Sequence, residues 1–451
     1  MNRDIHIGEL PLAPNRKAIP FRHRAARRNS ITLWDILAFL VPLLQVVRIP
    51  LGGQLLGPEV ALLVVLPFLV IMRGRRLLHT LPRTYLLLAT LWLFSQIFTD
   101  LLRATPFEDV TRGGVKIAFA LITFSALYLL LYGHRRRILL FAAGFALGGI
   151  LTYFLNPNLL VEDDWWKFGL GIPLSLIVVL LSTALNVRNL RTFGIALLVS
   201  GAVINFYLDF RSLGAIMALT ASYQVLQAFV GSRGGRVTAV RPRHLLILTI
   251  MMGAVALTVY NGYDYAAREG LLPKTAQYRY EVQSQGAYGP FLGGRIEILA
   301  SSRAILDSPL IGHGSWAKDC RYSNFLAGLK SQLGYAQTGT TEFCLIPAHS
   351  HIFGAWVEAG VLGAVFWLWV LTLAVRVLLR LYQTNDRLVP VVAFFAFVLL
   401  WDLVFSPYGL ELRYRTPYEV VLMMMFLPDT LRRRRIKPRS YKNVLRRAPK
   451  G

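Results

Sequence analysis

Charged residues are scarce in this sequence, and acidic residues are scarcer than basic ones. Only 16% of the 451 residues are charged, whereas 55% are hydrophobic and the mean hydropathy is +0.49. Such an apolar composition excludes an ordinary water-soluble globular protein. Many windows instead hold the roughly 20 mostly apolar residues that a helix needs to cross a bilayer. The composition therefore predicts an all-α polytopic integral membrane protein.

The sequence also lacks an internal repeat, and it lacks an apolar run near its amino terminus. The first thirty residues are polar and basic, so we expect no cleavable signal peptide. About twelve membrane helices are predicted, with eleven or thirteen as alternatives because the last is short and the pair at 193–229 is tightly connected. The predicted spans are 32–47, 55–72, 85–102, 115–132, 138–155, 168–185, 193–208, 212–229, 244–260, 351–375, 389–405 and 416–429.

Acidic residues do not balance the basic ones, and the formal net charge is +25. This charge alone would suit a nucleic-acid-binding protein, but its distribution suits a membrane protein better. About two thirds of the 49 lysines and arginines lie in loops on one side of the predicted membrane, as expected for the cytoplasmic side. We predict that both termini are cytoplasmic and that nucleic acid is not a partner. The basic tail should contact anionic lipid headgroups, with a nucleic-acid-binding arm as the alternative.

This topology divides the chain into five parts with one long outer, periplasmic loop that contains short helices. The parts are a basic cytoplasmic segment at 1–31, nine membrane helices within 32–260, the loop at 261–348, three membrane helices within 349–429 and a basic cytoplasmic tail at 430–451. The only cysteines, Cys320 and Cys344, both fall in the loop. Because an outer compartment is oxidising, we expect a disulfide bond between them, with two unpaired small apolar side chains as the alternative.

Basic side chains collect at the outer ends of the predicted spans. Arg295 opens a predicted amphipathic helix, and Asp307 and Pro309 end it. Guanidinium groups bind phosphate well, and an imidazole can transfer a proton near neutral pH. The pattern therefore predicts a site for a phosphate-bearing lipid. For any single arginine the alternative is contact with headgroups, and for a histidine it is a helix cap. The set is Arg211, Arg295, His349, His351, Arg413 and Arg415.

Two carboxylates lie inside predicted membrane spans. Glu358 follows His351 by seven residues, about 10 Å along a helix, so the two side chains can share a face. An ionisable group within a membrane favours a functional role, but a hydrogen-bonding strut between helices is an equal alternative. Asp402 has the same two interpretations.

Several of these residues fall into motifs. The chain resembles the O-antigen ligase and O-antigen polymerase family of bacterial membrane glycosyltransferases over residues of about 205 to 420. Ser350, where ligases commonly have asparagine, favours the polymerase side, and His351 has no counterpart in the motif. The matching residues are His349, Ser350, Phe353, Glu358, Gly360 and Gly363, then Arg295, Pro309, Gly312 and Gly314, with Arg211 in "FRSLG" and the segment "FSPYG".

The resemblance implies glycosyl transfer on the outer face of the bacterial inner membrane. The donor would be a glycan on undecaprenyl pyrophosphate, and the acceptor either another lipid-linked glycan or the lipid A core. Arg211, Arg295 and His349 would be catalytic, while Arg413, Arg415, His351 and Glu358 would bind substrate. Membrane lipids and other polysaccharide-assembly proteins are candidate partners. A transporter of polysaccharide or lipid carrier is the alternative from another class, although no internal repeat supports it.

No cofactor or metal is expected. The one dense acidic cluster on the predicted outer face is Glu162-Asp163-Asp164. It precedes two tryptophans, which are typical of a membrane interface, so we interpret the cluster as a solvated loop. The recurring arginines would neutralise a pyrophosphate without a cation.

Overall fold

A computed structural model describes residues 31–50, 53–157, 160–231, 242–287, 289, 295–335, 344–384 and 386–427. Most of the predicted segment 1–31 and the basic tail lie outside these residues. The described residues are almost wholly helical, apart from the antiparallel strands β1 (Arg48–Pro50) and β2 (Gln54–Leu56). The first helices are α1 (Leu33–Leu43), α2 (Gly57–Arg73), α3 (Thr80–Leu102), α4 (Phe107–Leu131), α5 (Arg135–Leu155), α6 (Leu160–Asp163), α7 (Gly171–Val187), α8 (Arg191–Tyr207) and α9 (Arg211–Gly231).

The remaining helices belong to the second half of the chain. They are α10 (Pro242–Arg268), α11 (Lys274–Ser284), α12 (Glu297–Asp307), α13 (Cys320–Gln332), α14 (His351–Ala359), α15 (Val361–Leu381), α16 (Val389–Phe405) and α17 (Leu412–Met425). Helix α10 continues past the predicted end of its span at residue 260, so the beginning of the predicted loop is helical. The short helices α11, α12 and α13 lie within the described residues of that loop.

Within the part of the chain that the structure describes, six helical segments are long and apolar enough to cross a membrane, and three shorter apolar helices accompany them. The protein is therefore an all-α protein with several helices of membrane-spanning length. Each of the twelve predicted spans overlaps a helix of the structure. That all twelve cross the membrane stays a prediction. The six segments are Thr80–Leu102, Phe107–Leu131, Arg135–Leu155, Trp166–Val187, Arg243–Arg268 and Val361–Leu381.

The interior of the helical bundle is built around α16. Nearly every residue of its first three turns is buried, because α7, α9, α15 and α17 pack around it. Between membrane helices, packing rather than the expulsion of water supplies the attraction, so closely stacked rings contribute strongly. Tyr418 of α17 stacks on Phe141 of α5 with ring centroids 4.5 Å apart. The same Tyr418 ring makes an edge contact with Phe395 near the start of α16 (5.1 Å between centroids), so α5, α16 and α17 are packed together there.

The predicted span 351–375 is not one continuous helix. Gly360 separates α14 from α15 and has φ +66°, a conformation that glycine adopts far more readily than other residues. A Cβ atom at Gly360 would lie 2.1 Å from the carbonyl oxygen of Leu310. The segment around Leu310 fits into this break, where the amides of His313 and Gly314 donate to the carbonyls of Val357 (2.7 Å) and Glu358 (3.0 Å). The break therefore joins the segment around Leu310 to α14 and α15.

A disulfide bond makes a second connection within the loop. Cys320, the first residue of α13, is bonded to Cys344, which precedes the entry into α14. Residues Lys318 and Leu345 form an isolated bridge beside it. The chain that leads to His349 is thus tied to α13.

Candidate functional site

A small cavity lies where the predicted loop 261–348 meets the start of α14 and the end of α16. Arg295 and His349, two of the three predicted catalytic residues, both line it. They are far apart in the sequence, and the cavity brings them together because α12 lies beside the entry to α14. The lining residues are Arg295, Glu297, Ile298 and Ser301 from the loop, His349, Ser350 and Phe353 from the start of α14, and Val404 and Phe405 from the end of α16.

Two hydrogen bonds of Ser350 hold the chain in place beside His349. Its hydroxyl accepts a hydrogen bond from the amide of Phe353 (3.2 Å), which caps the first turn of α14. The same hydroxyl donates to the carbonyl oxygen of Leu403 on α16 (2.7 Å). The start of α14 is therefore bound to α16, and His349, the preceding residue, is exposed at the cavity.

Arg295 lies over an aromatic surface on α16. Its guanidinium carbon is 5.7 Å from the ring centroid of Trp401 and 5.5 Å from that of Phe405, which are cation–π distances. Burial lowers the pKa of Arg295 from its ordinary value, Glu297 opposes that shift, and the charge of Arg211 adds to it. A guanidinium stays protonated despite such a shift. The cavity therefore has a cationic wall.

Arg211 begins α9, at the boundary that the sequence predicted between two spans. It does not belong to the cavity lining, but its charge is close enough to Arg295 to affect that residue's pKa. Its Nε atom forms an ion pair with Asp209 (3.2 Å), and its guanidinium lies 4.6 Å from the ring centroid of Tyr263 on α10. The side chain is 28% exposed. Arg211 is thus a partly exposed cation near the cavity.

The two histidines at the start of α14 have different surroundings. His351 is fully buried, and its Nδ1–H donates to the carbonyl oxygen of Ser406 (2.6 Å). Its ring makes edge contacts with Trp367 (4.8 Å between centroids) and Tyr408 (5.2 Å). His351, predicted to bind substrate, therefore lies in the protein interior and does not line the cavity with His349.

The predicted substrate-binding residues Arg413 and Arg415 also have internal partners. Arg413 binds the fully buried carboxylate of Glu59, with Nε–Oε1 and Nη2–Oε2 distances of 2.8 and 2.9 Å. Arg415 contacts Asp402 on α16 and lies 3.3 Å from Glu419 within α17. The structure does not bring these arginines to the cavity lining. Their contacts tie α17 to α2 and α16.

Glu358 forms an ion pair that the sequence interpretation missed. Its Oε2 atom lies 2.6 Å from Nζ of Lys116 on α4, and both side chains are mostly buried. The signal was present in the sequence, because Lys116 interrupts an otherwise apolar run. The pair connects α14 to α4 just before the helix break at Gly360.

The acidic cluster predicted to be a solvated loop contributes one residue to a salt-bridge network. Asp164 accepts a hydrogen bond from Arg279 of α11 at 2.6 Å, while the side chain of Asp163 lies outside the described residues. Among the residues that the structure describes, no group of three or more His, Cys, Asp or Glu side chains is arranged to hold a metal ion.

The residues at the cavity combine a cation, a carboxylate, an imidazole and aromatic rings. A guanidinium binds phosphate oxygens, and an imidazole accepts a proton from a hydroxyl group near neutral pH. Both groups face the space between α12, the start of α14 and the end of α16. Comparisons of the chain with protein-family profiles, with curated proteins and with solved structures find no match.

Proposed function

We propose that this chain is a membrane glycosyltransferase that transfers or polymerises glycan carried on undecaprenyl pyrophosphate. It acts on the outer face of the bacterial cytoplasmic membrane, with twelve spans and both termini inside. The observation that carries the proposal is the shared cavity of Arg295 and His349 at the junction of the outer loop and the membrane helices. The motifs that resemble O-antigen ligases and polymerases supply the reaction.

Arg211, Arg295 and His349 then each have a role in a nucleophilic substitution at the anomeric carbon of the donor sugar. The bond from that carbon to the phosphate oxygen breaks, and a bond to the acceptor hydroxyl oxygen forms. His349 takes the hydroxyl proton, and Arg295 with Arg211 stabilises the negative charge that develops on the pyrophosphate. The leaving group is the lipid pyrophosphate itself.

The acceptor distinguishes two versions of this proposal. In the favoured version it is a sugar of another lipid-linked glycan, so that the product is an O-antigen or exopolysaccharide chain. In the alternative it is the lipid A core, as in a ligase. Ser350 supports the first version by its identity in the motif.

A transporter is the second candidate, and one feature of the structure favours it. Helix α14 breaks at Gly360 beside the Lys116–Glu358 pair, and transporters commonly use interrupted helices with nearby charges at their binding sites. However, the break is filled by the backbone around Leu310, so a large part of it is occupied by protein. This observation makes the transferase the better-supported candidate.

The deciding experiment supplies purified protein in lipid nanodiscs with lipid-linked glycan and follows the products. Elongated glycan on the carrier supports a polymerase, and glycan on added lipid A core supports a ligase. Absence of any new glycosidic bond with either acceptor contradicts both. Arg303→Ala serves as the control for variants of the cavity residue Arg295. It removes an arginine of α12 that is 62% exposed.

Topology can be tested without substrate. Reporter fusions at Gly133 and Gly451 should be cytoplasmic, and a fusion at Gln285 should be periplasmic. A cytoplasmic signal at Gln285 would place Arg295 and His349 on the wrong side of the membrane for this donor. The transferase proposal would then fail.

A further inference from the structure

The carboxylate of Asp209 is shared by side chains from three helices. Its Oδ1 atom lies 2.8 Å from the hydroxyl of Tyr263 on α10 and 3.2 Å from Nε of Arg211 on α9. Its Oδ2 atom accepts a hydrogen bond from Arg279 on α11 at 3.1 Å. Asp209 is only 9% exposed, so these contacts are shielded from water. One carboxylate therefore joins α9 to α10 and to the outer-loop helix α11.

Asp209 has a backbone conformation in which glycine is the usual residue. Asp209 follows the end of α8 and has φ +57°, in the left-handed region. Its amide donates to the carbonyl of Phe206 (3.2 Å), and the amide of Phe210 donates to that of Asn205 (2.8 Å). Glycine is the commonest residue at such a helix end, because a Cβ atom is disfavoured there. The three contacts of its carboxylate explain an aspartate at this position.

These contacts orient the Arg211 guanidinium in two ways. Asp209 holds the Nε edge, while the ring of Tyr263 lies against the group at 4.6 Å. A guanidinium has five N–H donors, and four of them are on the two terminal nitrogens. With its Nε edge held and a ring beside it, the fork has one preferred orientation. The side chain remains 28% exposed, so a ligand can reach it.

We propose that Asp209 is a positioning residue that orients Arg211 to bind the pyrophosphate of a lipid-linked donor. The inference rests on the proposed function, and it adds a residue to that site which no motif in the sequence indicated. Arg279 connects the same carboxylate to the outer loop. Donor binding would therefore depend on α11 being docked.

The two possible roles of Asp209 predict opposite effects on the binding of an anionic ligand when its carboxylate is removed. If Asp209 only neutralises Arg211, its loss leaves a stronger cation, and the anion binds more tightly. If Asp209 positions Arg211, its loss lets the guanidinium adopt other rotamers, and the anion binds more weakly. The direction of the change therefore separates positioning from simple charge neutralisation.

The test measures binding of geranylgeranyl pyrophosphate and of geranylgeraniol to the full-length protein in nanodiscs. Asp209→Asn keeps the shape of the side chain and is tolerated in the left-handed region. We expect it to weaken pyrophosphate binding about tenfold while leaving alcohol binding unchanged. Asp209→Gly should have the same effect on binding although glycine suits the backbone at this position. A purely structural defect would weaken both ligands equally.

The matched control is Glu108→Gln, near the start of α4. It removes the same charge from an exposed ion pair with Arg112 and should change neither ligand's affinity by more than about twofold. Unchanged or tighter pyrophosphate binding in both Asp209 variants would overturn the positioning role.

Two further outcomes separate this inference from the proposed function. If Arg211→Ala weakens pyrophosphate binding and the Asp209 variants do not, only the role of Asp209 is overturned. If the wild-type protein binds the pyrophosphate no better than the alcohol, the donor assignment fails, and the role of Asp209 fails with it.

Discussion

Two pairs of arginines, all predicted to lie at the outer ends of membrane spans, differ in their surroundings in the structure. Arg295 lies over aromatic rings at the cavity, and Arg211, whose charge acts on Arg295, keeps a partly exposed side chain. Arg413 and Arg415 lie against buried carboxylates and are 11% exposed. The sequence shows the same residue type in similar places, but the partners differ.

The difference shows how a cation keeps its capacity to bind an anion. An aromatic ring attracts a guanidinium without cancelling its charge, so the group can still bind a phosphate. A buried carboxylate neutralises the guanidinium and occupies its donors. Because Arg295 lines the cavity and Arg413 and Arg415 do not, we expect Arg295 to act on substrate and the other two arginines to stabilise the bundle. Arg211 is intermediate, because it shares the carboxylate of Asp209 with Arg279.

The largest effect should come from the cavity residues. Arg295→Ala and His349→Ala should each lower glycan transfer by roughly a hundredfold to ten-thousandfold, the range for lost charge stabilisation or proton transfer. The protein should still insert and fold, which size-exclusion chromatography in detergent would check. Wild-type product from His349→Ala would remove this residue from the mechanism. If His351 proved essential instead, the motif histidine would be His351, two residues after the position assigned to it.

The next largest effect should be on stability, from Arg415→Ala. Removing one partner of a buried ion pair leaves the other charge uncompensated, which typically costs about 3–5 kcal/mol. Thermal unfolding in detergent would measure the loss, with Arg303→Ala as the exposed control at less than about 1 kcal/mol. If the Arg415→Ala protein is stable but no longer binds the pyrophosphate probe, Arg415 binds substrate and the assignment of this arginine to stability is wrong.

A smaller effect distinguishes the two interpretations of Glu358. Glu358→Gln should destabilise the protein by about 1–3 kcal/mol, because Lys116 then keeps a mostly buried charge without its partner. The double variant Lys116→Met with Glu358→Leu should recover most of this stability, since apolar residues often replace a buried pair without loss. If transfer activity recovers together with stability in the double variant, the pair is a structural strut. If activity stays lost, the pair is functional.

The smallest effect should follow the removal of metal ions. We expect excess EDTA to leave transfer within about twofold of its untreated rate, because the guanidinium groups carry the charge stabilisation that a cation would otherwise supply. Added magnesium or manganese should increase the rate little. Inhibition by EDTA that magnesium reverses would instead point to the acidic cluster, and Asp164→Asn would be the first variant to measure.

The helices and their order follow closely from the sequence, whereas the break at Gly360 does not. Every predicted span overlaps a helix, because a long apolar run satisfies its backbone hydrogen bonds within lipid only as a helix. Gly360 and the residues on both sides of it fit an uninterrupted apolar pattern as well. The break becomes evident only when the backbone near Leu310 is seen to occupy the position of a side chain there.

The candidate site was predictable only in part. Motif spacing singled out Arg295 and His349, which meet at the cavity. It did not single out Asp209 or Lys116, because neither belongs to a recognisable motif. Lys116 could have been noticed as the one charged residue of the predicted span 115–132, but its partner is 242 positions away in the sequence.

By itself, the sequence determined that the chain is helical, apolar and asymmetric in its basic charge, because these properties depend on short segments and their surroundings in a bilayer or water. Only the tertiary structure decided which charges are neutralised. Arg413 meets Glu59 across 354 positions, and Arg295 meets the rings of α16 across about a hundred. Whether a cation can meet a phosphate depends on such contacts between distant segments, because a guanidinium enclosed with a buried carboxylate is out of a ligand's reach, whereas one at a cavity wall is not.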